Sequence, residues 1–323
     1  MPWFAGGQAH YGWGLLQSGA ACTALEWSAV MTEKIRRHPI AALLVWFFTV
    51  GQLLAFLPRI VEAQGVELSV PLFVTASNLI GLLLPALVLT WLCDGRAGLR
   101  ALRDRILTWR RNPWWYVFVV IAVPLGAVLL ALILAGPPDA SGPALPMALL
   151  LGLVLQTVLG LIISNLWEEV AWTGFVQARL QQRHGALRAV LLTAPLFALQ
   201  HAALVAGGSF AATIVLLLVL TLLAIPFRAV TGWLYNRTSS LLLVGLFHAA
   251  GNAVAVREWP GDGMLPLLFP GENFGPVHLL VSAVVGVIVI TATRGRLGTE
   301  PAVPGAQRPQ AYSHPTGPAG RVR

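Results

Sequence analysis

Long apolar runs constrain this chain more than any other feature. Residues 40–57, 72–93, the run ending at Ala135, the run beginning near Met147, and residues 189–205, 210–225, 241–256 and 277–292 are almost devoid of charge. A helix needs about 20 mostly apolar residues to cross the hydrocarbon core of a bilayer. In lipid each backbone N–H and C=O must be paired within the structure, and an open sheet leaves an unpaired edge, so these runs are expected to be helices. The expected fold class is all-α: a polytopic membrane helix bundle of about eight transmembrane helices. Composition agrees, with 57% hydrophobic and 11% charged residues, against about 25% charged in a soluble domain.

Charge then orients the bundle. With the N-terminus inside, the inner segments hold Lys34, Arg36 and Arg37, the cluster from Arg96 to Arg111, Arg179, Arg183 and Arg188, Arg228 and Arg237, and Arg294 and Arg296. The outer loops hold only Arg59 and Arg257, each near acidic residues. Basic loops face the cytoplasm, so both termini are expected to be cytoplasmic. The formal net charge of +8 is thus topological, and with no soluble basic domain to carry a binding face, nucleic acid is not an expected partner. Cys22 and Cys93 have no metal-ligand spacing and imply no disulfide framework.

Five stretches divide the chain. Residues 1–33 are broken by glycines and read as a flexible extension or a mis-assigned start, since Met31 opens a stretch typical of a membrane protein's beginning. Residues 34–145 carry accessory spans one to three. Within them, 94–112 places arginines at helical spacing beside Leu99, Leu102, Ile106 and Leu107, as in an amphipathic helix lying on an anionic leaflet. Residues 146–256 hold the polar motifs described next, 257–293 a polar loop and the last span, and 294–323 a disordered tail rich in Gly, Pro and Arg. Pro58 and Pro226 are expected to stop the first and sixth spans.

Glu168 and Glu169 lie in an apolar run, where an ionised group costs about 2.5–3.5 kcal/mol on insertion scales and is usually retained for function. Neighbours on a helix point about 100° apart, so one can face a cavity while the other packs against another helix; alternatively both face water at the end of span four. Phe197 and His201 share a helix face, as do His248 and Asn252. An imidazole and a carboxamide converging on one spot can donate to an oxyanion, or each histidine can be a structural helix–helix contact. Together the groups permit carboxylate- and histidine-activated water or a Glu/His/His zinc site.

The motifs Glu168-Glu169-x-x-x-Thr173-Gly174, Phe197-x-x-x-His201 and His248-x-x-x-Asn252, one per apolar run, resemble those of the CAAX-protease and bacteriocin-processing family of intramembrane proteases. That family includes type II CAAX prenyl endopeptidases and lysostaphin-resistance-like proteins, and the resemblance covers residues 146–256. It implies an intramembrane endopeptidase. Glu168 would be the general base, with His201 beside it, His248 and Asn252 the oxyanion site, and Glu169 a supporting carboxylate. It further implies a glutamate-type mechanism with no cofactor, although such proteins are commonly described as metalloproteases and zinc stays open. One position departs: the family's commonest motif has Arg where this chain has Thr173. Glu169 must then be protonated or paired elsewhere, with Arg179 and Arg228 as candidates.

The expected partners are membrane lipids and a hydrophobic or lipid-anchored peptide or protein substrate, whose scissile bond is expected to arrive from the cytoplasmic leaflet, where span four ends. High Arg, Ala and Leu usage suits a bacterial plasma membrane protein from a GC-rich genome, in which prenylated substrates are unexpected. The rival readings are a non-catalytic scaffold or immunity-type protein, and a transporter; the absence of an internal repeat speaks against transport.

Overall fold

The structure is a computed structural model that describes residues 30–62, 64–138, 145–257 and 261–299. Of the flexible extension expected over residues 1–33, residues 1–29 lie outside the described residues and residues 30–33 are instead helical, while the tail beyond residue 299 also lies outside them. Within them the regular structure is helical, without strands. Five helices are long and apolar enough to cross a membrane: α1 Pro39–Glu62, α2 Val70–Ile106, α3 Pro113–Ala135, α4 Leu145–His184 and α6 Phe210–Thr238. Shorter apolar helices are α5 Ala186–Gln200, α7 Leu241–Ala255 and α8 Val277–Ala292. In the most apolar window of α6 only 11% of residues are buried, and Phe210, Leu218 and Leu222 are exposed. Such a surface suits hydrocarbon as the solvent, and the chain is an integral membrane protein.

The helix boundaries depart from expectation where proline and glycine decide them. Pro58 and Pro226 lie inside α1 and α6. A proline removes one intrahelical hydrogen bond, a loss that neighbouring helices and local adjustments compensate inside a bundle. The Pro226 carbonyl also packs on α8 at Gly286, where an added Cβ would lie 2.2 Å from it. Glycine sets the real breaks. Gly95 interrupts α2 at φ 64°, ψ −160°, a region essentially restricted to glycine. It separates the apolar run from the arginine-rich segment, which continues as helix to Ile106. Gly185 (φ 81°) ends α4 and starts α5. The α4 helix is continuous for 40 residues, with π-helical turns over Ala148–Leu155, Leu161–Asn165 and Val170–Gln177. The acidic pair thus sits within the helix and not at its water-facing end.

Cross-links between helices define two ends of the bundle. At one end Arg36 bonds the Leu92 carbonyl, Arg179 pairs with Asp94, Ser240 bonds the Thr108 carbonyl, and Asn236 bonds Gln181 and the Leu297 carbonyl. The Arg96–Arg111 cluster belongs to this basic end. At the other, Arg59 bonds the Ala203 carbonyl and Arg257 that of Glu272. Residues 294–299, placed by the sequence in a disordered tail, instead form a turn at the basic end with Leu297 fully buried in the main core. Asparagine side-chain bonding and a closed apolar pocket outweigh the Gly/Arg composition there.

Glycines also allow the close approaches that set the motifs in register. Gly245 of α7 lies against the Leu166 backbone of α4, and Gly51 of α1 against Gly81 of α2. Between these contacts the core is aromatic, with Phe47, Trp172, Phe175 and Phe247 buried. Edge-to-face contacts link Phe47 to Trp172 and Trp172 to Phe197, and Phe197 stacks on Phe227.

Candidate active site

The two adjacent carboxylates have separate environments, as their angular offset on one helix requires. Glu168 is 5% exposed. Its Oε1 accepts from Asn78 Nδ2 and Ser164 Oγ, both at 2.7 Å. Its Oε2 is buried and has no hydrogen-bond partner among the described residues. Asn78 is itself held by Gln200, which donates to Asn78 Oδ1 at 3.0 Å and accepts from Trp172 Nε1. One carboxylate oxygen is therefore fixed by a buried amide–indole relay while the other keeps its lone pairs.

Glu169 is fully buried and fully partnered. Arg228 Nη1 bonds both of its oxygens at 3.0 and 2.9 Å, Thr173 Oγ1 donates to it at 2.5 Å, and His248 Nδ1 lies 3.0 Å from Oε1. Arg228 is also fully buried. Its remaining donors go to Thr173 Oγ1 and to Gln177 Oε1, and Gln177 returns a bond to the Arg228 carbonyl. All five guanidinium N–H groups are thus used, and Arg228 also lies 5.3 Å from the Phe197 ring centre. Of the two candidate partners for Glu169, Arg228 is the one used; Arg179 pairs with Asp94 instead. Thr173 bridges the same ion pair, so the cation missing from α4 is supplied by α6.

These contacts define the histidine tautomers. A carboxylate that accepts from Arg and Thr also accepts from His248, so Nδ1 carries the proton and Nε2 faces away from Glu169. His201 Nδ1 lies 2.9 Å from the Phe197 carbonyl, which can only accept, so its proton is likewise on Nδ1. Phe197 and Phe227 pack on the imidazoles at 5.0 Å.

Glu168, His201, His248 and Asn252 line one cavity of about 460 Å³, together with Asn78, Ser164 and Gln200. Glu169 lies behind it, touching the cavity only through His248. Sequence reasoning missed Asn78, Ser164, Gln200 and His278, the last of which lines the cavity with Nδ1 bonded to the Gly275 carbonyl. Asn78 and Gln200 were detectable as carboxamides within otherwise apolar runs; Ser164 and His278 belong to none of the motifs. Among the described residues, no group of three or more His, Cys, Asp or Glu side chains is arranged to hold a metal ion. Glu169 is committed to Arg228 and His248 and is not available as a ligand, and no step is derived through a metal.

The fold and site define a helical membrane protein with a buried carboxylate–histidine–carboxamide cavity. Residues 150–254 match the family model of the Rce1-like type II CAAX prenyl endopeptidases. No curated protein and no solved structure matches the chain.

Proposed function

We propose that the protein is an intramembrane endopeptidase in which Glu168 activates a water molecule. The observation that carries this reading is the asymmetry of the carboxylate. Oε1 is held by Asn78 and Ser164, and Oε2 is buried without a partner, in the cavity that His201, His248 and Asn252 share. Oε2 takes a proton from water, and the hydroxide oxygen bonds the scissile carbonyl carbon. The Asn252 carboxamide N–H donates to the resulting oxyanion in any protonation state. The His248 ring, held at Nδ1 by Glu169, borders the same space. Collapse breaks the C–N bond, and the departing amine takes the proton from Glu168. His201, whose Nε2 is an acceptor, orients the water. The family match over residues 150–254 supports the reaction class.

Glu169 and Arg228 are positioning residues in this reading. They fix His248 without touching substrate, and the chemistry needs no cofactor. A bacterial plasma membrane setting follows from the composition and the arginine-rich end.

The test is cleavage of hydrophobic quenched-fluorescent peptides in liposomes, with wild type beside Glu168→Gln, each with and without a strong zinc chelator. Loss of a general base costs about 10²–10⁴ in rate. The expected result is activity that survives the chelator and falls by that factor in Glu168→Gln. Activity that the chelator abolishes and zinc restores would overturn the mechanism, and equal cleavage by Glu168→Gln would overturn the site.

A further inference from the structure

We propose that the cavity is reached from the non-cytoplasmic side of the membrane, so that the substrate is a peptide segment anchored in or translocated to that leaflet. The proposal rests on reading Glu168 as the centre of a peptidase site, and it reverses the expectation that the scissile bond comes from the cytoplasmic leaflet.

Three observations carry it. First, the cavity's outer lining comes from a single end of the bundle. Val70 and Pro71 start α2, Leu204 follows α5, Val256 follows α7, and His278 starts α8. This is the end marked by the Arg59–Ala203 and Arg257–Glu272 bonds. Second, the route toward the basic end is filled. Below Glu168, Trp172, Phe175 and Val176 are fully buried, as are Glu169 and Arg228, with Thr173 and Gln177 nearly so. That layer of apolar and fully bonded polar groups leaves no passage beside α4. Third, Gln156, Gly160, Ser164 and Glu168 recur every four residues along α4 and all line the cavity. Gln156 Oε1 is buried without a partner, an acceptor available to a backbone N–H on the path from the mouth to Glu168.

The positive-inside rule then fixes the side. The filled end carries Lys34, Arg36, Arg37, the Arg96–Arg111 cluster, Arg179, Arg183, Arg188, Arg237, Arg294 and Arg296. The open end carries Arg59 and Arg257 beside Glu62, Glu67, Asp262 and Glu272. A lipidated tail presented from the cytoplasm meets the filled end. An apolar segment presented from the opposite leaflet meets the mouth.

The experiment uses the full chain with Cys22→Ser and Cys93→Ser, expressed in a bacterial host and carrying one new cysteine. Leu204→Cys sits at the mouth, where the residue is 48% exposed; Leu107→Cys sits at the basic end, where it is 62% exposed. Intact spheroplasts are treated with a membrane-impermeant maleimide before and after lysis. The expected pattern is Leu204→Cys labelled without lysis and Leu107→Cys only after it; the reverse overturns the proposal. A second arm presents one apolar cleavable segment from a lipid anchor in either leaflet. Cleavage confined to the outer reporter supports the proposal, and cleavage confined to the cytoplasmic one overturns it. If neither reporter is cut, the peptidase reading is what fails, and the labelling pattern still decides the side.

Discussion

At the scale of single residues, the site depends on where one positive charge is stored. The related motif keeps an arginine one helical turn after the second glutamate. Here Thr173 occupies that position, and Arg228 reaches across from α6 to the same carboxylate. Removing one partner of a buried ion pair costs about 3–5 kcal/mol, because the other is left uncompensated. Arg228→Ala is therefore expected to unfold the protein at a much lower temperature in detergent. Thr173→Arg alone should also destabilise, by adding a second cation to a filled, fully buried position. The double variant Thr173→Arg with Arg228→Thr moves the charge back onto α4 and is expected to recover most of the lost stability and cleavage. A double variant no better than the worse single one would show that the two positions do not exchange this role. The sequence made this economy half legible. It exposed an unpaired Glu169 and offered Arg179 and Arg228 as partners, but choosing between them needed the spatial relation of α4 and α6. Asn78 and Gln200 were harder, because an amide in an apolar run announces a hydrogen bond without naming its recipient.

At the scale of helices, periodicity and length placed the apolar segments well, and α8 agrees with its expected span, Val277–Ala292. Proline was misread as a stop at Pro58 and Pro226, because packing inside a bundle tolerates what an isolated helix does not. Packing also explains how His248 meets Glu169. The glycine at Gly245 lets α7 approach the α4 backbone, and a Cβ there would lie 2.9 Å from Leu166 Cα and 3.2 Å from Leu161 Cδ1. Overpacking of this kind costs about 1–3 kcal/mol and shifts backbone. Gly245→Ala and Gly245→Val are expected to lower cleavage in that order by drawing the His248 imidazole off Glu169, with a falling kcat and a nearly unchanged KM. A graded rise in KM instead would place Gly245 in substrate binding. The Gly95 bend has a different basis: an added Cβ there meets nothing within 4 Å, so its requirement is conformational and steric relief elsewhere cannot replace it.

At the scale of the molecule, the bundle is an asymmetric vessel, open toward one end and filled toward the other. The filled end is closed partly by the short turn after α8, where Leu297 is fully buried and the Asn236 side chain bonds its carbonyl. Burying an unpaired charge there is costly, so Leu297→Asp is expected to lower the melting temperature in detergent by several degrees, while Arg296→Gln, changing a residue beside it, should shift it little. Equal melting temperatures for wild type and Leu297→Asp would show that the turn contributes no closure. Hydropathy revealed that this is a bundle, and arginine placement revealed two unlike ends. Neither could say which end holds the cavity, because that depends on side-chain filling between helices far apart in sequence.

The ion pair between Glu169 and Arg228 also bears on how the molecule is made. The two residues are 59 positions apart, so synthesis delivers the acid-bearing fourth helix to the bilayer well ahead of its countercharge. Until the sixth helix arrives, an ionised Glu169 would be expensive in lipid, and the imidazole it later steadies has not yet been made. Completion of the site is thereby tied to completion of the bundle: a chain stalled before its sixth helix holds a carboxylate without its cation, and any peptidase activity must wait for assembly.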